Sequence, residues 1–256
     1  MSLTRAALRV LLVPLLAAGL APALRAQQAP TWPQHSMERP KPPVQAPPPQ
    51  RLPVPAPAGA IVLFDGRDLG WWSRNDGAPA GWRLVDGAME VVKGAGGIRT
   101  RVAFGDVRLH VEWASPTPAE GSGQDRGNSG VFLMQTYEVQ VLDSYGNETY
   151  ADGQAAAIYG QFPPRLNVTR PPGEWNSYDI EFRRPRFDST GVLLSAARMT
   201  VRHNGVLVQD DVALLGPTSH RVRAPYTAHA DALPIALQDH GHPVRFRNIW
   251  VAPLPD

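Results

Sequence analysis

The sequence contains no cysteine among its 256 residues, which excludes disulfide scaffolds, thiolate metal sites and cysteine nucleophiles. Long apolar runs are also missing. The N-terminal run at residues 10–20 has only eleven residues, whereas a membrane-spanning helix needs about 20. The sequence has no GxSxG elbow, P-loop, GxGxxG, HExxH or EF-hand motif, so the common serine-hydrolase, nucleotide, zinc-protease and calcium signatures are excluded.

The first 26 residues have the three-part pattern of a secretory signal peptide. Arg5 and Arg9 precede the apolar run, and small residues follow it up to Ala26. We therefore expect residues 1–26 to be cleaved, the mature protein to be periplasmic or secreted, and no membrane span to remain. Cleavage leaves 22 basic residues against 23 acidic ones. A nearly neutral protein gives no reason to expect a nucleic-acid partner.

Proline dominates the next stretch, with 11 prolines among residues 27–58. This segment has few aliphatic side chains, so its composition predicts a disordered, semi-rigid linker. The folded domain is expected to occupy residues 59–256.

Hydrophobic side chains in that domain recur with period two, as in residues 107–113 and 137–141. This alternation predicts strands, and helical patterns are nearly absent. Asp86-Gly87 and Asn204-Gly205 are dipeptides typical of type I′ hairpin turns. The fold class predicted is all-β, an antiparallel β-sandwich of the concanavalin or LamG-like jelly-roll type. The long loops at 144–174, 184–196 and 211–233 are candidates for the walls of a cleft.

Polar side chains lie on one face of the predicted strand YEVQVLDS. Glu138 and Gln140 share that face, and the other face is apolar. A solvated sheet edge and the floor of a groove both fit this pattern. If a bulge falls at Val141-Leu142, Asp143 joins the same face. Glu138 and Asp143 would then form a carboxylate pair able to exchange protons or hold a cation.

A second polar group lies near the C-terminus, where Gln238 and His240 share a face and His242 follows a glycine. Imidazole beside carboxylate suits proton transfer or metal binding, although this spacing matches no standard zinc motif. Arg126 and Asn128 precede another apolar strand and are candidates either for binding sugar hydroxyls or for capping a turn.

Seven segments together resemble one known family. In order, they are LFDGRDLGWW (63–72), GNSGVFLM (127–134), YEVQVLDS (137–144), AIYGQFPP (157–164), PPGEWNSYDI (171–180), VRHNGVLVQ (201–209) and PIALQDHGHPVRFRNIWV (234–251). Through them residues 60–254 are similar to the 3-keto-disaccharide hydrolase domain family. The resemblance implies an exported bacterial jelly roll that cleaves oxidised, 3-keto glycosides.

The chemistry implied by this resemblance is elimination followed by hydration. A C3 ketone acidifies the C2 proton, so a base can remove it, the C1 oxygen can leave, and water then adds to the enone. Glu138 or His240 would be the base. A divalent cation near the C3 oxygen is one candidate electrophile, with Glu138, Asp143 and His240 as its ligands; no organic cofactor is implied.

Other polar residues named above are candidates for substrate binding. Hydroxyl-orienting contacts are assigned to five residues, Gln140, Gln238, Arg126, Asn128 and His242. The alternative to an enzyme is a non-catalytic carbohydrate-binding jelly-roll module.

Overall fold

A computed structural model describes residues 32–254. The predicted signal peptide at residues 1–26 lies outside the described residues, and its cleavage stays a prediction. The described part of the chain includes no helix long and apolar enough to cross a membrane.

The larger of two facing sheets has eight strands. They are β1 (Ile61–Phe64), β3 (Arg83–Val85), β4 (Ala88–Glu90), β6 (Val107–Ala114), β9 (Asn176–Arg183), β12 (Arg198–His203), β13 (Val206–Ala213) and β15 (Arg245–Pro253). Their order across the sheet is β13-β12-β9-β6-β15-β4-β3, and β1 pairs with β15.

The smaller sheet has five strands. They are β2 (Trp72–Arg74), β5 (Ile98–Phe104), β7 (Ser129–Leu133), β8 (Tyr137–Val141) and β14 (Leu233–Leu237), and their order across the sheet is β2-β5-β14-β7-β8. A short separate hairpin pairs β10 (Arg186–Phe187) with β11 (Leu193–Ser195). One 3₁₀ turn, Ala151–Gly153, is the only helical element among residues 32–254.

The hydrophobic core lies between the two sheets. From the smaller sheet, Tyr137 and Val139 on β8 point into it, and the ring of Tyr137 packs 5.5 Å from that of Phe182 on β9. Because strand side chains alternate between faces, Glu138 and Gln140 must point to the other face of the sheet. The packing of the core therefore fixes the direction of both polar side chains.

The predicted fold class is confirmed: every sheet pairing is antiparallel. Both hairpin predictions are confirmed as well. Asp86 and Asn204 take positive φ values of 49° and 50° at the turns that join β3 to β4 and β12 to β13.

The prediction of a disordered linker is wrong for residues 32–58, which we call the N-terminal arm. The arm lies against the domain: the Gln45 N–H donates to the Asn167 carbonyl at 3.0 Å, and the Asn167 N–H donates to the Pro43 carbonyl at 2.9 Å. Composition gave the wrong prediction here because it reports only side chains and leaves out backbone hydrogen bonds. A proline-rich backbone keeps its carbonyl acceptors, and the domain supplies donors to them.

Part of the arm covers charged groups on the outer face of the larger sheet. Glu112 on β6 is fully buried and accepts hydrogen bonds from Val54 N, Asn248 Nδ2 and Arg247 Nε, each at 2.8 Å. Burial alone would raise the pKa of Glu112, but these bonds and the nearby His110 hold it below its usual value. β6 is therefore buried on both faces, not on one as its alternation predicts.

Removing the Glu112 carboxylate should destabilise the fold strongly, since it would leave several buried donors unpaired. We expect Glu112→Ala to lower the free energy of unfolding by about 3 kcal/mol or more, measured by urea denaturation. Glu181→Ala is the matched control, because Glu181 is exposed on β9 of the same sheet and should change stability by less than about 0.5 kcal/mol. Equal effects of the two substitutions would contradict the expectation.

Candidate active site

The outer face of the smaller sheet forms the floor of a cleft of about 360 Å³. Phe132 on β7 pairs with Glu138 on β8, and Gly130 pairs with Gln140, so these positions share that face. The lining residues come from these two strands and from the loops beside them; they are Asn128, Phe132, Glu138, Gln140, Tyr159, Thr218, Ser219, His220, Gln238 and His240.

The carboxyl group of Glu138 is the chemical centre of this cleft. Only 5% of the residue is exposed, and burial raises its pKa to about 8. The neighbouring Gly130 makes room for it: a Cβ at that position would lie 2.4 Å from Glu138 Oε1. A glycine opposite Gln140, diagonal to the acid, thus leaves room for the desolvated carboxyl group.

Amide side chains occupy the rest of the floor. Gln140 Nε2 donates to Asn128 Oδ1 at 3.2 Å, and Asn128 Nδ2 donates to the Gln124 carbonyl at 2.8 Å. Gln238 Oε1 is buried without a hydrogen-bond partner. An unsatisfied buried acceptor of this kind is suited to receive a hydroxyl proton from a ligand.

One wall of the cleft contains residues that sequence reasoning did not assign. Tyr159 lies in the loop after β8, and its N–H donates to the Glu138 carbonyl at 3.2 Å. Its phenol lies 3.0 Å from His220 Nδ1 and 3.0 Å from the Tyr150 hydroxyl. Thr218 accepts from the Glu138 N–H at 2.9 Å. Tyr159, His220 and Thr218 all lie in the two longest predicted loops, and Tyr159 also lies in the family-like segment AIYGQFPP (157–164), but neither signal gives a residue a role.

The histidine predicted to work with Glu138 is at the rim. His240 is exposed, and its ring stacks on that of His242 with centroids 6.0 Å apart. Both Glu138 and His240 line the same cleft, so the two separated sequence segments meet there. Asn128, Gln140 and Gln238 lie there with them.

Asp143, Arg126 and His242 do not lie in this cleft but line a second, smaller cavity of about 220 Å³. The predicted bulge is absent: β7 and β8 pair without a register shift up to Val141, where β8 ends. Beyond that point Asp143 turns toward Arg126 and forms an ion pair at 2.7 Å. His242 faces Asp125 at 3.2 Å.

The predicted cation ligands do not fit a metal site. Among residues 32–254 no group of three or more His, Cys, Asp or Glu side chains is arranged to hold a metal ion. Asp143 is ion-paired with Arg126. Glu138 and His240 share the cleft with His220, but no three of the described acidic and histidine side chains there are arranged around one point. No step of the chemistry below is therefore assigned to a metal.

Comparison with known proteins identifies the domain. The model of a family described as the 3-keto-alpha-glucoside-1,2-lyase-like domain matches residues 59–252. This is the family that the seven sequence segments resemble. Comparison with curated proteins gives no match.

Solved structures agree with this result. A candidate glycosyl hydrolase from Parabacteroides distasonis is 46% identical, with a TM-score of 0.75 over 78% of this chain and 85% of that one. A second candidate glycosyl hydrolase from the same organism is 23% identical, with a TM-score of 0.56 over 76% of this chain and 99% of that one. The second likeness shows the fold alone.

The environment of Glu138 should be visible in its titration. We expect a carboxyl midpoint near pH 8, against an ordinary value of 4.5, because the charged form is desolvated and has no cation beside it. Carboxyl-detected carbon NMR of the protein measures it, and Glu138→Gln assigns the signal by its loss. A midpoint below pH 5.5 would show that water reaches the group freely.

Proposed function

The chain belongs to the 3-keto-alpha-glucoside-1,2-lyase-like domain family, and on that premise we propose that it is an exported carbohydrate-cleaving hydrolase acting on 3-keto-glycosides. The observation that carries the proposal is the buried carboxyl group of Glu138, which faces a polar cleft without a cationic partner. A raised carboxyl pKa near the working pH is the property that a general base needs.

In the proposed reaction Glu138 as carboxylate removes the C2 proton of the bound sugar. The electron pair of that C–H bond forms an enolate with the C3 carbonyl. The enolate then expels the C1 oxygen with its aglycone, which takes up a proton, and the C3 ketone is restored beside a new C1–C2 double bond. Addition of water across this bond completes a net hydrolysis.

Charge develops on the C3 oxygen, and the loop wall offers a donor for it. Burial raises the pKa of Tyr159, so its phenol keeps its proton. When both the Tyr150 hydroxyl and the His220 Nδ1–H donate to the phenol oxygen, the Tyr159 proton is free to point into the cleft. A neutral, fixed hydroxyl donor stabilises an enolate without any reorganisation of solvent.

Glu138 is favoured over His240 as the base because of where the two residues lie. Glu138 is on the cleft floor and desolvated, which strengthens it as a base, whereas His240 is exposed at the rim. His240 is better placed to contact the leaving group or the entering substrate.

A binding module is the weaker candidate. Among the described residues, those that line the cleft include two aromatic rings, Phe132 and Tyr159, but no tryptophan, and the rest of the lining is polar. An acid and imidazoles over a polar floor are better suited to proton transfer. Release of the aglycone from a 3-keto-glucoside, compared with the unoxidised glucoside, separates the two functions.

The base role predicts a pH dependence for cleavage of a 3-keto-glucoside. Because only the carboxylate can accept the C2 proton, kcat/KM should rise with pH and level off above about 8. Glu138→Gln should lower kcat/KM by about 10²- to 10⁴-fold and abolish its rise with pH. His240→Ala should keep this rise. Tyr159, His220 and His240 are the other titratable groups at the cleft.

Two results would overturn the assignment. Full activity of Glu138→Gln would show that Glu138 is not the base. A rate that falls with rising pH through about 8 would mean that the protonated Glu138 is the working form, and the base would then have to be sought at His240.

The lack of a side chain at Gly130 predicts an effect of substitution there on the rate. Gly130→Ala should displace the Glu138 carboxyl group, since the new Cβ would lie 2.4 Å from Oε1. A displacement of this size in a base should lower kcat by on the order of tenfold to a hundredfold. An unchanged urea midpoint would show that the fold is intact. Wild-type turnover in Gly130→Ala would show that the carboxyl position is not critical.

A further inference from the structure

The N-terminal arm reaches the back of the cleft wall. Its first described residues lie outside the region matched by the family, which begins at residue 59, and yet they contact the two loops that carry Tyr159 and His220. The contacts involve both side chains and backbone.

The ring of His35 is the centre of these contacts. Its centroid lies 4.3 Å from that of Tyr150, 5.1 Å from that of Tyr159 and 4.8 Å from that of His220. Tyr159 and His220 line the cleft on their other side. The His35 ring thus fills the space behind the two side chains that face Glu138.

His35 is held there at an energetic cost. Its φ is +61°, a left-handed conformation that is unfavourable for a residue with a Cβ. Both ring nitrogens are buried without hydrogen-bond partners, and burial lowers the pKa of His35 to about 4. The ring is therefore neutral and acts by its shape, not through a hydrogen bond or a charge.

Neighbouring arm residues fasten the same two loops. Gln34 Nε2 donates to the Ser219 carbonyl at 2.5 Å, and the His35 N–H donates to Asp152 Oδ2 at 3.1 Å. Arg39 donates to the Gln161 carbonyl at 3.2 Å. One short segment therefore connects the loop before β9 with the loop before β14.

From these contacts we propose that the N-terminal arm is a working part of the active site, with His35 as a positioning residue that holds Tyr159 and His220 toward Glu138. The cleft wall is complete only when the arm is docked. The catalytic consequence rests on the proposed function; the placement of the two side chains does not.

Three variants of the full chain test the proposal on a 3-keto-glucoside. We expect His35→Ala to lower kcat by about tenfold or more with a smaller change in KM, because the donor at the C3 oxygen loses its fixed position. His35→Phe should regain most of the loss, since a flat ring refills the gap and the imidazole nitrogens bond to nothing. Met37→Ala is the matched control, as Met37 is in the same segment and 58% exposed.

A second measurement needs no substrate. His220 stacks against His35, so its imidazole carbon and proton NMR shifts depend on the His35 ring. In a protein with 7 histidines the signal is assigned by His220→Ala. We expect His35→Ala to move the His220 signals, Met37→Ala to leave them in place, and the urea midpoint to stay close to that of the wild type.

The outcomes distinguish a failure of the proposed function from a failure of the positioning role of His35. A wild type that does not cleave the keto substrate overturns the proposed function, and the His220 signals then decide alone whether the arm positions the wall. Unmoved His220 signals in His35→Ala overturn the positioning role. Moved signals with unchanged kcat overturn the claim that this position matters for catalysis.

Discussion

A carboxyl group removed from water without a cation beside it is the constraint on which the site depends. Glu138 is held there because Tyr137 and Val139 must enter the core, which leaves it no other direction. The loops above the sheet then exclude solvent from it. Burial of this kind destabilises the charged form, so the fold is less stable with Glu138 ionised than with it protonated. Carboxyl groups perturbed in this way cluster at functional sites.

The pKa of a buried carboxyl group is shifted in opposite directions on the two outer faces of the sandwich. On the larger sheet Glu112 is surrounded by donors from the arm and from β15, and hydrogen bonding outweighs burial. On the smaller sheet Glu138 has no such donors, and burial dominates. The same N-terminal arm takes part at both faces, through Val54 at Glu112 and through His35 behind Tyr159. It stabilises one face and shapes the cleft at the other.

Period-two alternation was enough to predict the strands, the sandwich, and the face shared by Glu138 and Gln140, because these are local consequences of pleating. It failed for Asp143, since β8 ends at Val141 and side-chain direction beyond a strand end is decided by partners such as Arg126. Tyr159 and His220 were not found because loops have no period. The arm was misjudged because its contacts are made by backbone groups and by a few side chains, such as Gln34, His35 and Arg39, and proline content reveals none of them.

The placement of the acids also bears on the chemical route. Glycosidases that pass through an oxocarbenium-like transition state use two carboxyl groups on opposite sides of the scissile bond. The strand segment here supplies two buried acids, but Asp143 lies in another cavity, paired with Arg126. Among the described residues that line the cleft, Glu138 is the only acid. One carboxylate cannot both protonate the leaving oxygen and attack or activate water at C1 in that scheme. It can, however, remove a proton acidified by a neighbouring ketone, so the single unpaired acid favours elimination from an oxidised sugar over direct displacement at C1.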